Sequence, residues 1–181
     1  MATFDKSLLC DFGEDVFISE RVEIKRPNLV SIGSHISIDS GFYITTGAKF
    51  ENYIHIGPNV SVIGGPTGML QMGNFTNIAV GSRIICGTDQ FLGEGFSFPV
   101  LPEKYRDKVI ILPIHIQNFA GVGANVTIMP GVTIAEGSVI GANSLVTKST
   151  EPWTIYYGSP ARPIKTRPSE KMLTLAKELG Y

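Results

Sequence analysis

The chain has 181 residues, enough for one domain with a hydrophobic core. Its formal net charge of −1 produces no strong field, which argues against nucleic acid or an anionic membrane as a partner. Only 17% of the residues are charged and 20 are glycine, a composition that favours a tightly turned β protein over a helical one.

The N-terminal segment does not resemble a targeting signal. Residues 1–10 contain Asp5 and Lys6 and no apolar run, so no signal peptide is expected. The longest apolar stretch, 109–116, is far too short to span a bilayer. Cys10 and Cys86 lack the short spacing of a metal site, and we expect them to be reduced thiols in a cytoplasmic protein.

An aliphatic residue at every sixth position is the dominant pattern of the sequence. A period of six matches neither an α-helix nor the alternation of a strand. It is typical of a hexapeptide β-helix, in which each short strand supplies one inward side chain to a triangular prism. The two unbroken runs are Ile32, Ile38, Ile44, Phe50, Ile56, Val62 and Ile110, Ile116, Val122, Ile128, Ile134, Ile140, Val146.

The register opens at Phe12 and is interrupted at Arg26-Pro27, after Val62 and over residues 90–109. Three hexapeptides make one coil, so the pattern predicts an all-β fold, a left-handed parallel β-helix of about six coils. Crossover connections between parallel strands are normally right-handed. Strands joined by such short corners are an exception and wind left-handed. Glycine and asparagine between the strands supply the positive φ of tight corners.

Two segments fall outside the period. Residues 90–109 are rich in aromatic side chains and proline, and we interpret them as a loop extruded from one corner. Residues 168–181 predict a short helix, with Ser169 as the N-cap and Gly180 as the C-terminal stop. We expect a β-helix domain over residues 1–167 and a helix that caps the open strand edges of the last coil.

The repeat, the extruded loop and the segments Met129-Pro130-Gly131-Val132 and Gly158-Ser159-Pro160-Ala161-Arg162 resemble the left-handed β-helix acyltransferases. The galactoside, maltose and serine acetyltransferases belong to that family, and the resemblance covers residues 12–167. Residues 53–60, followed by Gly64-Gly65, most resemble the members that act on sugars or nucleotide-linked amino sugars.

The resemblance implies transfer of an acetyl or other short acyl group from acyl-CoA to a sugar. The acceptor that the resemblance favours is the amino group of a nucleotide-linked amino sugar used in surface-polysaccharide synthesis. The resemblance also implies a homotrimer with active sites between subunits, and the extruded loop is suited to reach a neighbour. Three other functions are kept as alternatives: O-acetylation of a sugar hydroxyl, a non-catalytic β-helix scaffold, and a zinc carbonic anhydrase-like protein.

One position departs from the family. The galactoside and maltose enzymes use a histidine base near the root of the extruded loop, where this chain reads Gly87-Thr88-Asp89-Gln90. Imidazole is the natural proton acceptor near neutral pH, and the chain has three histidines. The register predicts that His55 lies in one outer column with Asn77 and His115. His35 is expected at a corner, away from the site.

Asp89 has more than one interpretation: it orients an imidazole, binds the ammonium group of the acceptor, or stabilises a turn. An amine needs a protein base less than a hydroxyl does, so Asp89 without a histidine favours an amine. We expect His55 and Asp89 to be catalytic. The side chains expected to contact the acceptor are Asn77, Thr76, His115 and Tyr105.

Coenzyme A carries phosphates, so its site should combine backbone N–H groups with basic side chains. The resemblance implies that the pantetheine arm lies along the C-terminal coils; the alternative for the basic residues is a generic basic tail. The residues expected there are Gly123, Ala124, Ala142, Lys148, Arg162, Lys165 and Arg167. No metal is expected, because a catalytic zinc needs a cluster of ligands and no histidine pair is closely spaced.

Overall fold

Short parallel strands wind residues 3–181, the part described in a computed structural model, into a prism with three faces. Four single-turn 3-10 helices cover Lys6–Leu8, Pro27–Leu29, Gly65–Thr67 and Glu103–Tyr105, and helix α1 covers Glu170–Glu178. The strands are β1 (Asp11–Phe12), β2 (Val16–Ile18), β3 (Glu23–Ile24), β4 (Val30–Ile32), β5 (Ile36–Ile38), β6 (Tyr43–Ile44), β7 (Gly47–Phe50), β8 (Ile54–Ile56), β9 (Ser61–Ile63), β10 (Met69–Met72), β11 (Thr76–Ile78), β12 (Arg83–Ile85), β13 (Gly87–Asp89), β14 (Val109–Ile111), β15 (Ile114–Ile116), β16 (Gly121–Val122), β17 (Thr127–Ile128), β18 (Thr133–Ile134), β19 (Val139–Ile140), β20 (Leu145–Val146), β21 (Thr154–Tyr157) and β22 (Arg162–Thr166).

Each turn contributes one strand to each face. The first face is the sheet β1-β4-β7-β10-β15-β18, and the third face contains β3-β6-β9-β12-β17-β20. The second face, β2-β5-β8-β11-β16-β19-β21-β22, begins a further turn with β21. Within these three faces, neighbouring strands pair in parallel except β21 and β22, which are antiparallel. The predicted parallel β-helix is therefore confirmed. Among residues 3–181, no helix has the length and apolar character needed to cross a membrane.

The core is a column of aliphatic side chains along the prism axis. The six-residue period is confirmed, because Ile116, Val122 and Ile128 and the members that follow them are almost fully buried. Phe12 pairs with Ile32 as predicted, but it lies in the terminal strand of its sheet and is 43% exposed. The predicted register is wrong at Ile110, which is 36% exposed. Ile110 lies in β14, which pairs antiparallel with β13 outside the prism.

The corner between the first and second faces stacks aromatic rings from turn to turn. One residue in each turn has positive φ there, and four ring pairs have centroids 4.6, 4.9, 5.4 and 5.8 Å apart. An added Cβ at Gly137 would lie 2.3 Å from the indole of Trp153, so this turn has glycine where the turns on either side have a ring. The stacked residues are His35, Tyr53, Phe75, Phe119 and Trp153.

A ladder of side-chain hydrogen bonds holds the same corner. The backbone N–H of Ser34 donates to Oδ1 of Asn52 at 2.7 Å, and that of Asn52 donates to Oδ1 of Asn74 at 2.8 Å. The backbone N–H of Asn74 donates in turn to Oδ1 of Asn118 at 2.8 Å. These side chains satisfy backbone groups where the chain turns out of one strand, and thereby hold successive turns in register.

The extruded loop begins and ends in a ribbon. Strands β13 and β14 pair antiparallel, so the excursion is wider than the predicted 90–109 and starts at Gly87. Inside the loop, the Asp107 side chain is buried and accepts backbone hydrogen bonds from Gly93 at 3.1 Å and Lys108 at 2.7 Å. A buried carboxylate held by two N–H groups gives this segment an order of its own.

Helix α1 packs along a corner, and the expectation that it caps the last coil is wrong. The ring of Tyr181 meets Tyr53 and Phe75 edge-on, with centroids 5.6 and 5.1 Å away. One Arg167 nitrogen donates to the carbonyls of Phe119 and Gly137, both at 2.9 Å, where the chain turns towards the helix. Strand β22 folds back on β21 and covers the edge that a cap would have protected.

Replacing Asn74 with alanine should lower the free energy of unfolding by about 1–2 kcal/mol, because the Asn52 N–H loses its acceptor. The change can be measured by urea denaturation. Asn77→Ala is a matched control, since that side chain is exposed on the outer face of β11. Equal losses in the two variants would contradict a structural role for the ladder.

Candidate active site

A cavity of about 420 Å³ lies where the loop leaves the prism, and we call it the loop-root cavity. Asp89, the last residue of β13, is half-buried in its wall. One side is formed by the connection from β9 to β10, and the other by the loop itself. The lining residues are Ile63, Gly64, Gly65, Pro66, Gly87, Thr88, Asp89, Pro99, Arg106, Val109 and Ile111.

Glycines form the floor of the loop-root cavity for steric reasons. An added Cβ at Gly64 would lie 2.7 Å from Cβ of Cys86, and one at Gly87 would lie 3.0 Å from Cα of Gly64. Thr45 fixes this floor by accepting the N–H groups of Gly64 at 3.2 Å and Gly65 at 3.3 Å on its hydroxyl. The chain can therefore leave the prism here without closing the cavity.

Cys86 lies behind this floor and is not a nucleophile. Its side chain is buried and its thiol donates to the carbonyl of Met69 at 3.4 Å. Burial raises the pKa of the Cys86 thiol to about 11, so it stays protonated near neutral pH. The Cys86 thiol is therefore not suited to carry an acyl group.

His55 lies on the outer side of the second face. It is flanked by Ser37 and Asn77 in the neighbouring strands, as the register predicted. Its Nε2 lies 3.1 Å from Oδ2 of Asp39, a carboxylate suited to orient the imidazole. A second pair joins His35 to Asp15, also at 3.1 Å. Both histidines border a shallow pocket of about 430 Å³, together with Asp15.

His115 does not lie in that column, and the prediction is wrong. It pairs with Gln71 and Thr133 on the first face, while the column of Asn77 continues at Gly121. The prediction treated residues 110–115 as a strand of the prism, but the chain re-enters it only at Ile114. His115 instead lines a polar groove of about 570 Å³.

The other expected acceptor contacts separate into two kinds. Thr76 is buried, and its hydroxyl donates to the carbonyl of Gly73 at 2.8 Å, so it stabilises a turn and is not presented to a ligand. Asn77 is exposed. Tyr105 is exposed on the loop, with the Lys104 ammonium 4.7 Å from its ring centroid.

Two of the residues expected to bind coenzyme A have structural reasons for their identity. An added Cβ at Gly123 would lie 2.7 Å from the carbonyl oxygen of Ile140 in the next turn, so only glycine fits at position 123. Arg167 uses a guanidinium nitrogen to join two turns, and its partial burial lowers its pKa. Ala124 and Ala142 are half-buried, while Lys148 is exposed after β20.

Arg162 and Lys165 lie on one outer face through a bulge in β22. Arg162 pairs with Tyr157 and Lys165 pairs with Ile155, which leaves Ile164 as the extra residue. Side chains that pair directly share a face, and residues two apart in β21 also share one. The two basic side chains therefore point to the same side, although three positions separate them in sequence.

Within one chain, His55 and Asp89 border different cavities. Three residues near these cavities were not predicted from the sequence: Asp39, Arg106 and Asp107. Asp39 could have been found, because it follows Ser37, which the register places beside His55. Arg106 and Asp107 lie in a segment without periodicity, where spacing gives no position.

Comparison with known proteins places the chain in a family. The model of the bacterial transferase hexapeptide (six repeats) matches residues 113–148. The dTDP-4-amino-4,6-dideoxy-D-glucose acyltransferase of Escherichia coli is 31% identical over 166 residues, 90% of this chain and 84% of that protein. A chloramphenicol acetyltransferase of Morganella morganii is 45% identical over 172 residues, 88% of this chain and 77% of that protein.

A solved structure matches almost the whole fold. It is a serine-to-cysteine variant of AntD, an N-acyltransferase from Bacillus cereus, in complex with dTDP-4-amino-4,6-dideoxyglucose and coenzyme A. The TM-score is 0.90 at 30% identity, and the match covers 96% of this chain and 91% of that chain. The chain belongs to the hexapeptide-repeat acyltransferases, and it is an enzyme of the acyltransferase class.

Replacing Asp107 with alanine should open the loop while leaving the prism folded. Two backbone N–H groups lose their acceptor, which costs about 1–3 kcal/mol locally and predicts roughly tenfold faster cleavage by trypsin at Lys104, Arg106 and Lys108. Mass spectrometry of the fragments measures this. Glu103→Ala, an exposed change in the same loop, is the control. Unchanged cleavage in the Asp107 variant would contradict the role assigned to its carboxylate.

Proposed function

We propose that this protein is an N-acyltransferase that moves a short acyl group from acyl-CoA to the amino group of a nucleotide-linked amino sugar. The observation that carries the proposal is the near-complete match to AntD, solved with both a dTDP-linked amino sugar and coenzyme A. The loop root supports it independently, because Asp89 stands there in place of a histidine base.

The chemistry suits an amine acceptor. The amine nitrogen attacks the thioester carbonyl carbon, a C–N bond forms, the C–S bond breaks, and the thiolate of coenzyme A takes up the proton that the nitrogen releases. A neutral amine is nucleophilic without a strong base, so the enzyme mainly has to orient both substrates. Before the attack, Asp89 binds the incoming ammonium group and accepts one proton from it, which leaves the neutral amine. The proton that goes to the thiolate is the second one, released after the C–N bond forms.

The acyl donor is held at the C-terminal turns. Arg162 and Lys165 share one outer face of the last sheet, and Lys148 follows the last strand of the third face. Guanidinium and ammonium groups on an accessible face are suited to the phosphates of coenzyme A. Ala124 and Ala142 leave room for the backbone of these turns to approach the pantetheine arm.

The active unit is a homotrimer in the cytoplasm. The loop exposes Phe91, Phe98 and Val100, the last of them 90% exposed, and Ile63 of the prism is exposed as well. Apolar side chains concentrated in this way are typical of a protein interface. In the trimer the loop covers a neighbouring subunit, and His55 of one chain approaches the loop root of another. The proposed substrates are cytoplasmic metabolites.

Transfer to a hydroxyl is the second candidate. The Morganella morganii relative is named for chloramphenicol, which has hydroxyl groups and no free amine. A hydroxyl needs a general base, and the His55–Asp39 pair supplies an oriented imidazole for that purpose.

The two candidates predict opposite effects of two conservative substitutions. With acetyl-CoA and dTDP-4-amino-4,6-dideoxyglucose, Asp89→Asn should lower kcat/KM by at least about tenfold, and His55→Asn should lower it less. If a hydroxyl is the acceptor, His55→Asn should lower kcat by roughly 10²- to 10⁴-fold. The assay should compare the 4-amino sugar with its 4-hydroxy counterpart. No transfer to either compound would overturn the proposal.

Removing two charges from the last sheet should weaken binding of the donor. The Arg162→Ala, Lys165→Ala double variant loses charge-assisted hydrogen bonds worth about 1.5–3 kcal/mol each, so its Kd for coenzyme A should rise at least about tenfold. The thermal shift at millimolar coenzyme A should fall accordingly. A Lys171→Ala, Lys177→Ala variant of the exposed face of α1 removes the same charge. A similar loss in both variants would point to a general field and not to a site.

A further inference from the structure

Two opposite charges share the loop-root cavity. Asp89 enters it from the ribbon and Arg106 from the far side of the loop. Within residues 3–181, the ion pairs involve other side chains, and none joins these two. A carboxylate and a guanidinium that line one cavity without neutralising each other remain available to a ligand that carries both signs of charge.

The backbone of Arg106 is fixed more firmly than its place in a loop suggests. Its N–H donates to the carbonyl of Glu103 at 3.0 Å, and it forms a bridge with Phe96. Gly95 packs directly on it, because an added Cβ there would lie 2.5 Å from the Arg106 carbonyl carbon. The next residue, Asp107, is fixed as well, because its buried carboxylate accepts a hydrogen bond from the N–H of Gly93. The guanidinium therefore starts from a preorganised position.

The other walls of the loop-root cavity strengthen the electrostatic interactions of Arg106 with a ligand. Ile63, Pro66 and Pro99 line the cavity together with Val109 and Ile111, so most of the side chains around the two charges are apolar. Electrostatic interactions are stronger in such surroundings than in open water. A guanidinium also presents paired N–H donors, which match the oxygens of a phosphate.

We propose that Arg106 binds the diphosphate of the acceptor while Asp89 binds its amine, so that the loop-root cavity selects amino sugars activated by a nucleoside diphosphate. This inference rests on the proposed function and adds to it the group that recognises the nucleotide. Coenzyme A also contains a diphosphate. The spacing between an amine and a diphosphate within one small sugar suits a cavity that holds both charges, and the experiment separates the two sources.

The test is a kinetic comparison of Arg106→Gln and Arg106→Lys with the unmodified enzyme. Arg106→Gln should raise KM for dTDP-4-amino-4,6-dideoxyglucose by about 10- to 100-fold and leave KM for acetyl-CoA unchanged. Arg106→Lys keeps the charge but loses the paired donors, so its KM should be intermediate. Transfer to the free amino sugar, which lacks phosphates, should be equally slow in all three proteins.

Controls separate this inference from the proposed function and from damage to the loop. Lys104→Gln removes a charge two residues away that does not line the cavity, and it should change neither KM. The rate of trypsin cleavage after Lys108, a site that all these variants keep, and the melting temperature should match those of the unmodified enzyme. If that enzyme acylates the nucleotide sugar but Arg106→Gln leaves both KM values unchanged, or raises only that for acetyl-CoA, the role of Arg106 is wrong and the function stands. If the unmodified enzyme does not acylate the nucleotide sugar, both fail.

Discussion

The fold depends on placing each inward aliphatic side chain directly over its counterpart one turn earlier. Backbone hydrogen bonds between parallel strands enforce this within each face, but at the corner between the first and second faces they leave some N–H groups without a backbone acceptor. There the chain adopts positive φ, and the asparagine ladder supplies acceptors for backbone groups that would otherwise lack them. The stacked rings of Tyr53, Phe75 and Phe119 fix the same corner from outside. Register at the corners therefore sets register in the core.

A scaffold held in this way can carry functional groups on its outside at little structural cost. The outer faces hold side chains that the core does not need, such as His55 and Arg162. The loop departs where Gly64 and Gly87 allow two chain segments to approach closely. Its internal order comes from a buried carboxylate, Asp107, and not from the prism. Specificity can change within the loop while the turns proposed to hold the donor stay the same.

The repeating parts of the structure could be predicted from the residues alone. Six-residue spacing is a local property, and each turn buries its aliphatic residue in the same way, so burial of Ile116 and Ile128 followed from counting. The contact of His55 with Ser37 and Asn77 followed for the same reason, because the column lies within an uninterrupted part of the register. The acyltransferase family also followed, since the repeat and the C-terminal segments carry its pattern.

Where the period breaks, the path of the chain depends on long-range packing and could not be predicted from spacing. Spacing could not show that β14 pairs back on β13, and that one error moved Ile110 out of the core and His115 to another face. Spacing also could not show that the side chains of Thr76 and Arg167 donate hydrogen bonds to backbone carbonyls of the protein. The site at the loop root joins residues far apart in sequence through an aperiodic segment. Such contacts depend on long-range packing and loop closure, which leave no period in the chain.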